Sequence, residues 1–180
     1  MQDSPDVAVL RLGHRPGRDE RITTHVGLTA RALGADRVVL AGAAASRADT
    51  VVDITDRFGG PFAAETTDSP DQVMAAWEGA IVHLTMYGLP IQDVEADIRD
   101  RFADGTPLLV VVGAGKVPWA AYDRAAYNVA VTNQPHSEIA SLAVFLDRLF
   151  EGEELDREWV DADQVVVPQA EGKRIEDVDE

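Results

Sequence analysis

The sequence predicts an α/β protein with a mainly parallel sheet and helices on both faces. Short apolar runs recur at regular intervals along the chain, and segments of helical periodicity separate most of them. The runs are apolar nearly throughout, as strands are when a parallel sheet is buried between helices. Ligands in such folds bind beyond the carboxyl ends of the strands.

The elements follow in order. VAVLRL (7–12) is the first strand, and ITTHVGLTARALGA after it is a helix ended by Gly34. RVVLAG (37–42) leads to SRADTVVDITDRFGG, a helix expected to be capped by Ser46 and closed by a glycine pair. PFAAET (61–66) precedes SPDQVMAAWEG, whose Ser-Pro start suits a first helical turn. AIVHLT (80–85), the helix IQDVEADIRDRF, PLLVVVG (107–113) and YNVAV (127–131) continue the alternation. In the last helix Ile139, Leu142, Ala143, Leu146, Leu149 and Phe150 form one apolar stripe. Beyond it, Trp159 and VVVP (165–168) suggest a further strand or docking segment, and EGKRIEDVDE a frayed end.

A chain of 180 residues fits one domain, and no apolar run approaches the ~18 residues that span a bilayer. The start MQDSPDVAVL lacks a signal-peptide pattern, so a cytoplasmic location is expected. With no cysteine, disulfides, thiolate catalysis and cysteine-ligated zinc are excluded. The four histidines (14, 25, 83, 136) show no metal-ligand spacing, so no metal is expected. His83, between Val82 and Leu84, reads as a hydrogen-bonded structural residue.

Charge is the strongest bulk signal. There are 32 acidic against 16 basic residues, and only Lys116 and Lys173 are lysines. Residues 1–37 carry six arginines against five acids, whereas the remainder holds ten bases against 27 acids. An anionic partner would therefore dock near the N-terminal segment. The same acidic, lysine-poor composition suits a salt-loving protein, because a Debye length of about 3 Å at 1 M screens self-repulsion.

Three turns share the carboxyl ends of late strands: HLTMYG, GAGKVP and AVTNQPHS. Gly88, Gly113 and Gly115 would let backbone approach a ligand closely. The third turn carries more hydrogen-bonding chemistry than a helix start requires, with Pro135 tolerated in the first turn. No P-loop, dinucleotide fingerprint or GxSxG elbow is present. Near the N-terminus, RLGHRPGRDERITTHVGLTAR crowds five arginines and two histidines together. On its helix Thr24, Leu28 and Arg31 share one face, and Arg21 and His25 another. Arg31 is either a surface arginine whose stem covers the sheet or a guanidinium aimed at a phosphate or developing oxyanion.

RLGHRPGRDERITTHVGLTARALGA, IVHLTMYG and YNVAVTNQPHSEIASLAVFLDRL, in this order and spacing, resemble the archaeal tRNA cytidine 2′-O-methyltransferases of the SPOUT superfamily, which modify cytidine 56 of the T-loop. The likeness runs from about Val7 to Phe150. It implies a SPOUT methyltransferase domain over 1–150 with a deep trefoil knot in its C-terminal part, an acidic C-terminal extension over 151–180, and a homodimer. It also implies S-adenosyl-L-methionine held at Leu84 and Gly88, at Val112, Gly113, Ala114, Gly115 and Lys116, and at Ala130, Val131, Thr132, Asn133, Gln134, Pro135, His136 and Ser137. By the same resemblance Arg31 is the catalytic arginine. His25 stands where the superfamily usually has asparagine, a departure that makes it a candidate proton acceptor. Arg11, Arg15, Arg18 and Arg21 are the candidate contacts to tRNA.

Two other classes remain open on the sequence alone: a non-catalytic ligand- or nucleotide-binding regulatory module, and an RNA-binding protein that has lost methyl transfer. Arg31 favours the enzyme and the net charge favours the module. A salt-adapted protein unfolds on transfer from molar to low salt, and circular dichroism across that transfer checks it; full retention of structure would contradict the salt-loving character.

Overall fold

The structure is a computed structural model that describes residues 6–42, 44–113 and 115–178. Six parallel strands form the main sheet in the order β3-β2-β1-β5-β4-β6. They are β1 (Val7–Leu12), β2 (Arg37–Ala41), β3 (Ala63–Thr67), β4 (Ala80–Pro90), β5 (Leu108–Gly113) and β6 (Tyr127–Ala130). The connecting helices are α1 (Glu20–Ala32), α2 (Ala45–Phe58), α3 (Pro70–Ala75), α4 (Ile91–Ala103) and α5 (Trp119–Arg124), with α6 (Glu138–Phe150) after β6. The chain winds outward from β1 to β3, then crosses to β4 and returns to set β5 beside β1. The carboxyl ends of β1, β5 and β4 therefore lie at the topological switch, where ligand sites of open α/β sheets form.

Strand parity divides the core. Val7 and Val9 of β1 pack with Val38, Leu40, Val110 and Val82 on one face, beneath α1, α2, α4 and α6. Ala8, Leu10 and Leu12 join Val39, Leu109 and Val111 on the other, covered by Met74 of α3 and Ala121 of α5. The expected cover on both faces is present, although among the described residues the second face has two short helices.

Three local expectations change. Helix α2 begins at Ala45 with Ala44 at its N-cap and no side-chain cap, so Ser46 lies inside the helix. Strand β4 continues to Pro90 and passes directly into α4. The segment expected to fray forms β8 (Arg174–Asp177), which pairs antiparallel with β7 (Gln164–Val167). Its backbone groups are satisfied by the hairpin ladder, which apolar periodicity alone does not reveal.

The tail is tied to the domain at the amino edge of the sheet. Val160 and Gly60 exchange backbone hydrogen bonds, and Arg157 donates to the carbonyls of Ala35 and Pro61. Trp159 lies against the guanidinium of Arg31, 4.3 Å from the ring centroid. Arg31 is 8% exposed and donates to the Gly59 carbonyl at the end of α2. Burial, with the nearby charge of Arg157 second, pulls its pKa below the ordinary arginine value. A cavity of about 580 Å³ beneath the hairpin is lined by Arg31, Phe58 and Trp159.

Arg31 thus joins α1, α2 and the tail. Arg31→Ala removes a charged hydrogen bond and a cation–π contact, together worth about 2 kcal/mol, and is expected to lower the thermal midpoint by about 4–8 °C. Calorimetry checks this; an unchanged midpoint would overturn the structural role.

Candidate active site

The ladder between β4 and β6 breaks once. Leu84 and Leu89 both stand opposite Val129, so residues 85–88 leave the sheet at its carboxyl edge. Gly88 brings the chain back: a Cβ there would lie 2.4 Å from the Asn128 carbonyl oxygen, a contact that only glycine avoids. Asn133, from the loop after β6, fastens the excursion by donating its amide to the carbonyls of Met86 (2.7 Å) and Gly88 (3.0 Å).

The second wall follows β5. At Gly113 a Cβ would meet Val117 Cγ2 at 2.3 Å, so the missing side chain lets Val117 fold back over the strand end. The third wall precedes α6. Ser137 caps that helix by accepting from the Ala140 amide (3.2 Å), and His136 Nδ1 donates to the Gln134 carbonyl (2.7 Å). A carbonyl can only accept, so the proton of neutral His136 sits on Nδ1 and Nε2 is left open.

These walls surround a cavity of about 280 Å³, near the lower end of ligand-site volumes. It is smaller than the cavity beneath the tail, but of the two it is the one that gathers the three turns at the topological switch. Of the residues expected to hold a cofactor, Leu84, Gly113, Gly115, Pro135 and His136 line it. Val131, Thr132, Asn133, Gln134 and Ser137 build its third wall without lining it, while Val112 and Ala130 are buried in the strands behind. Gly88 presses on β6 instead, Lys116 is exposed outside the cavity, and Ala114 lies outside the described residues.

The sequence did not point to several lining residues. Thr85, Met86 and Tyr87 form the excursion, Tyr122 comes from α5, and Glu138 and Ser141 lie three positions apart at the start of α6. That spacing on one helix face was the available signal for the last two. His83 is fully buried, as expected of a structural residue: Nδ1 bonds Asn128 Oδ1 (2.9 Å), and its ring meets the edge of Tyr122 at 4.5 Å. Burial lowers its pKa, partly offset by the Asn128 bond. It also lines the cavity.

The N-terminal arginines separate into two groups. Arg15, Arg18 and Arg21 are exposed on the loop after β1 and the first turn of α1. Asp19 organises that loop, accepting from Arg15 through the backbone N–H (2.9 Å), Nε (2.8 Å) and Nη2 (3.0 Å). The Arg15 hydrogen bond is the main reason its pKa falls to about 2. Arg11 departs from its expected place on an RNA-binding surface. It is fully buried, because it shares strand parity with Val7 and Val9, and its Nη2 donates to Glu138 Oε1 (2.9 Å). Arg31 lies elsewhere in this chain. It does not line the cavity, since α1 runs antiparallel to the strands and places its last turn at the opposite, amino edge. His25 is exposed midway along α1 and does not line the cavity either.

The sequence model of the family described as tRNA ribose 2′-O-methyltransferase, aTrm56, matches residues 58–176. The chain belongs to this family. Among its relatives, the tRNA (cytidine(56)-2′-O)-methyltransferase of Haloarcula marismortui is 69% identical over 180 residues, covering 100% of this chain and 99% of the relative. The protein of the same name from Thermococcus kodakarensis is 52% identical, covering 94% and 96%. The fold is also that of the SpoU methyltransferase AviRb from Streptomyces viridochromogenes, solved with AdoMet, at a TM-score of 0.57 and 17% identity over 85% of this chain and 59% of that one. The A. aeolicus TrmH/SpoU tRNA modifying enzyme gives 0.57 at 13% identity, over 86% and 78%.

A ribose 2′-O-methyltransferase must align a hydroxyl with an electrophilic methyl group, so placement dominates its catalysis. Here the cavity offers one carboxylate and no lysine or arginine side chain among its described lining, which suits a cationic ligand. The exposed arginines at the carboxyl end of β1 suit phosphates.

Asp19 yields a pH prediction. Its folded-state pKa is depressed, so its stabilising contribution is complete above about pH 4 and is lost as the pH falls through about 2. Asp19→Asn should flatten this part of the stability profile between pH 5 and 2, measured by denaturant melts; parallel profiles for the two proteins would contradict it.

Proposed function

We propose that this chain transfers a methyl group from S-adenosyl-L-methionine to the 2′-oxygen of cytidine 56 in the T-loop of tRNA. The observation that carries the reading is the cavity formed by three turns, two of them glycine-bearing, at the topological switch of a chain in this family. The names of the relatives supply the nucleotide.

The lining of the cavity supports this reading. Its apolar and aromatic side chains, Leu84, Val117 and Tyr122, suit a nucleoside, and Gly113 lets Val117 fold over the strand end to join them. Glu138 is the carboxylate available to a positively charged group. When bound, S-adenosylmethionine supplies a methyl group on a sulfonium. The chain's own contribution is to hold that group in the cavity and to bring the ribose to it. Arg15, Arg18 and Arg21 are the residues for the tRNA phosphates, with exposed His25 near the same path. At molar salt counterion release gives such contacts little help, so tRNA shape and directed guanidinium bonds must do more.

A SPOUT trefoil knot, a homodimer and a salt-rich cytoplasm complete the proposal. The Asn133 tie between the β6 loop and the β4 excursion is consistent with the knot, and relatives from halophilic archaea are consistent with the salt.

The test is methyl transfer from labelled S-adenosylmethionine to a tRNA transcript at high salt, followed by mapping of the product. A methyl group on the cytidine 56 ribose is expected; no transfer, or a methyl on a base, would sink the proposal. Gly113→Ala should displace Val117 at a cost of about 1–3 kcal/mol and weaken cofactor binding about tenfold or more. Titration calorimetry checks it, and wild-type affinity would place the cofactor elsewhere.

A further inference from the structure

Burying a guanidinium is expensive, and a well-packed apolar residue at the same place usually serves stability as well or better. Arg11 is fully buried near the end of β1, on the face covered by α1 and α6. Its single carboxylate partner is Glu138, and the contact is one-pronged: Nη2 reaches Oε1 at 2.9 Å, while Nε and Nη1 have no partner among the described residues. An arginine with no accessible surface cannot touch a ligand. Whatever it does for one passes through Glu138.

Glu138 is placed for such a role. Its side chain is 11% exposed and lines the cavity. It opens the thirteen-residue helix α6, whose N-terminus favours a carboxylate. The Ser137 cap fixes that turn, and Ser141 Oγ donates to the Glu138 carbonyl (2.9 Å). Arg11 then sets the remaining freedom, the direction of the carboxylate.

We propose that Glu138 accepts the proton of the ribose 2′-hydroxyl and that Arg11 is the positioning residue that aims it. The proposal rests on the reading above that methyl transfer takes place at this cavity. In the transfer O2′ forms the new C–O bond, the S–C electron pair stays on sulfur, and the O–H pair stays on O2′ as the proton passes to a Glu138 oxygen and then to solvent. The proton becomes strongly acidic as the oxygen is alkylated, so an ion-paired carboxylate is base enough; its main service is to orient the hydroxyl. Arginine, which stays protonated, cannot accept it.

Glu138→Gln keeps the shape and an acceptor for Arg11. The test is a cycle at high salt that compares wild type and Glu138→Gln, each binding tRNA with cytidine or 2′-deoxycytidine at position 56. Loss of the hydroxyl should weaken wild-type binding about tenfold and weaken the variant less than about threefold. The variant's turnover at saturating cofactor should fall on the order of a hundredfold or more. An equal deoxy penalty in both proteins, or near wild-type turnover of the variant, would overturn the role of Glu138 while leaving the enzyme reading intact. No transfer by wild type would overturn both. Arg11→Lys, which keeps the charge but not the fork, should lower kcat about tenfold at constant KM for tRNA and shrink the deoxy penalty. Wild-type values in a folded Arg11→Lys protein would overturn its positioning role.

Discussion

The return of β4 onto β6 at Gly88 is the constraint on which the rest of the site depends. Residues 85–88 can leave the ladder and rejoin it opposite the same Val129 only because the backbones touch where a side chain would stand. The excursion makes the first wall, and Asn133 binds the third wall to it. The second wall needs a related vacancy, at Gly113, for Val117 to fold over β5. The cavity is therefore a product of backbone contacts as much as of side chains.

Around that frame the charges divide by location. Asp19 and Arg15 hold the loop after β1 in place with most of Asp19 out of solvent, leaving Arg18 and Arg21 exposed beside it. Arg11 lies inside, bonded to the first residue of α6. Arg31 works at the other edge of the sheet, where a desolvated guanidinium joins the ends of α1 and α2 to the tail through Gly59 and Trp159. Arg15, Arg11 and Arg31 thus make three separate kinds of contact, with a carboxylate of their own loop, with the first residue of α6 and with the segments that hold the tail.

Much of this was legible in local pattern. The apolar runs marked all six strands of the main sheet, and the glycines and polar residues after them marked the three turns, because strand burial and turn chemistry are encoded in neighbouring residues. Helix α5 was missed because six residues give too little periodicity, and with it Tyr122 was missed as a wall of the cavity. A further strand at β7 was one of the two readings of VVVP, but its partner β8 was missed because the stability of this exposed hairpin lies in backbone pairing.

The sequence by itself determined the class of the fold, the position of its turns and, through its motifs, the family. Only the tertiary structure decided which arginine does what. VAVLRL puts Arg11 in phase with Val7 and Val9, yet whether that face meets a carboxylate, a phosphate or water depends on α6, which enters the chain 127 residues later. The resemblance gives Arg31 a catalytic role, and the direction of α1 across the sheet sets it apart from this chain's cavity. Burial and partnership of a charge depend on contacts between distant segments, and those exist only once the sheet has closed.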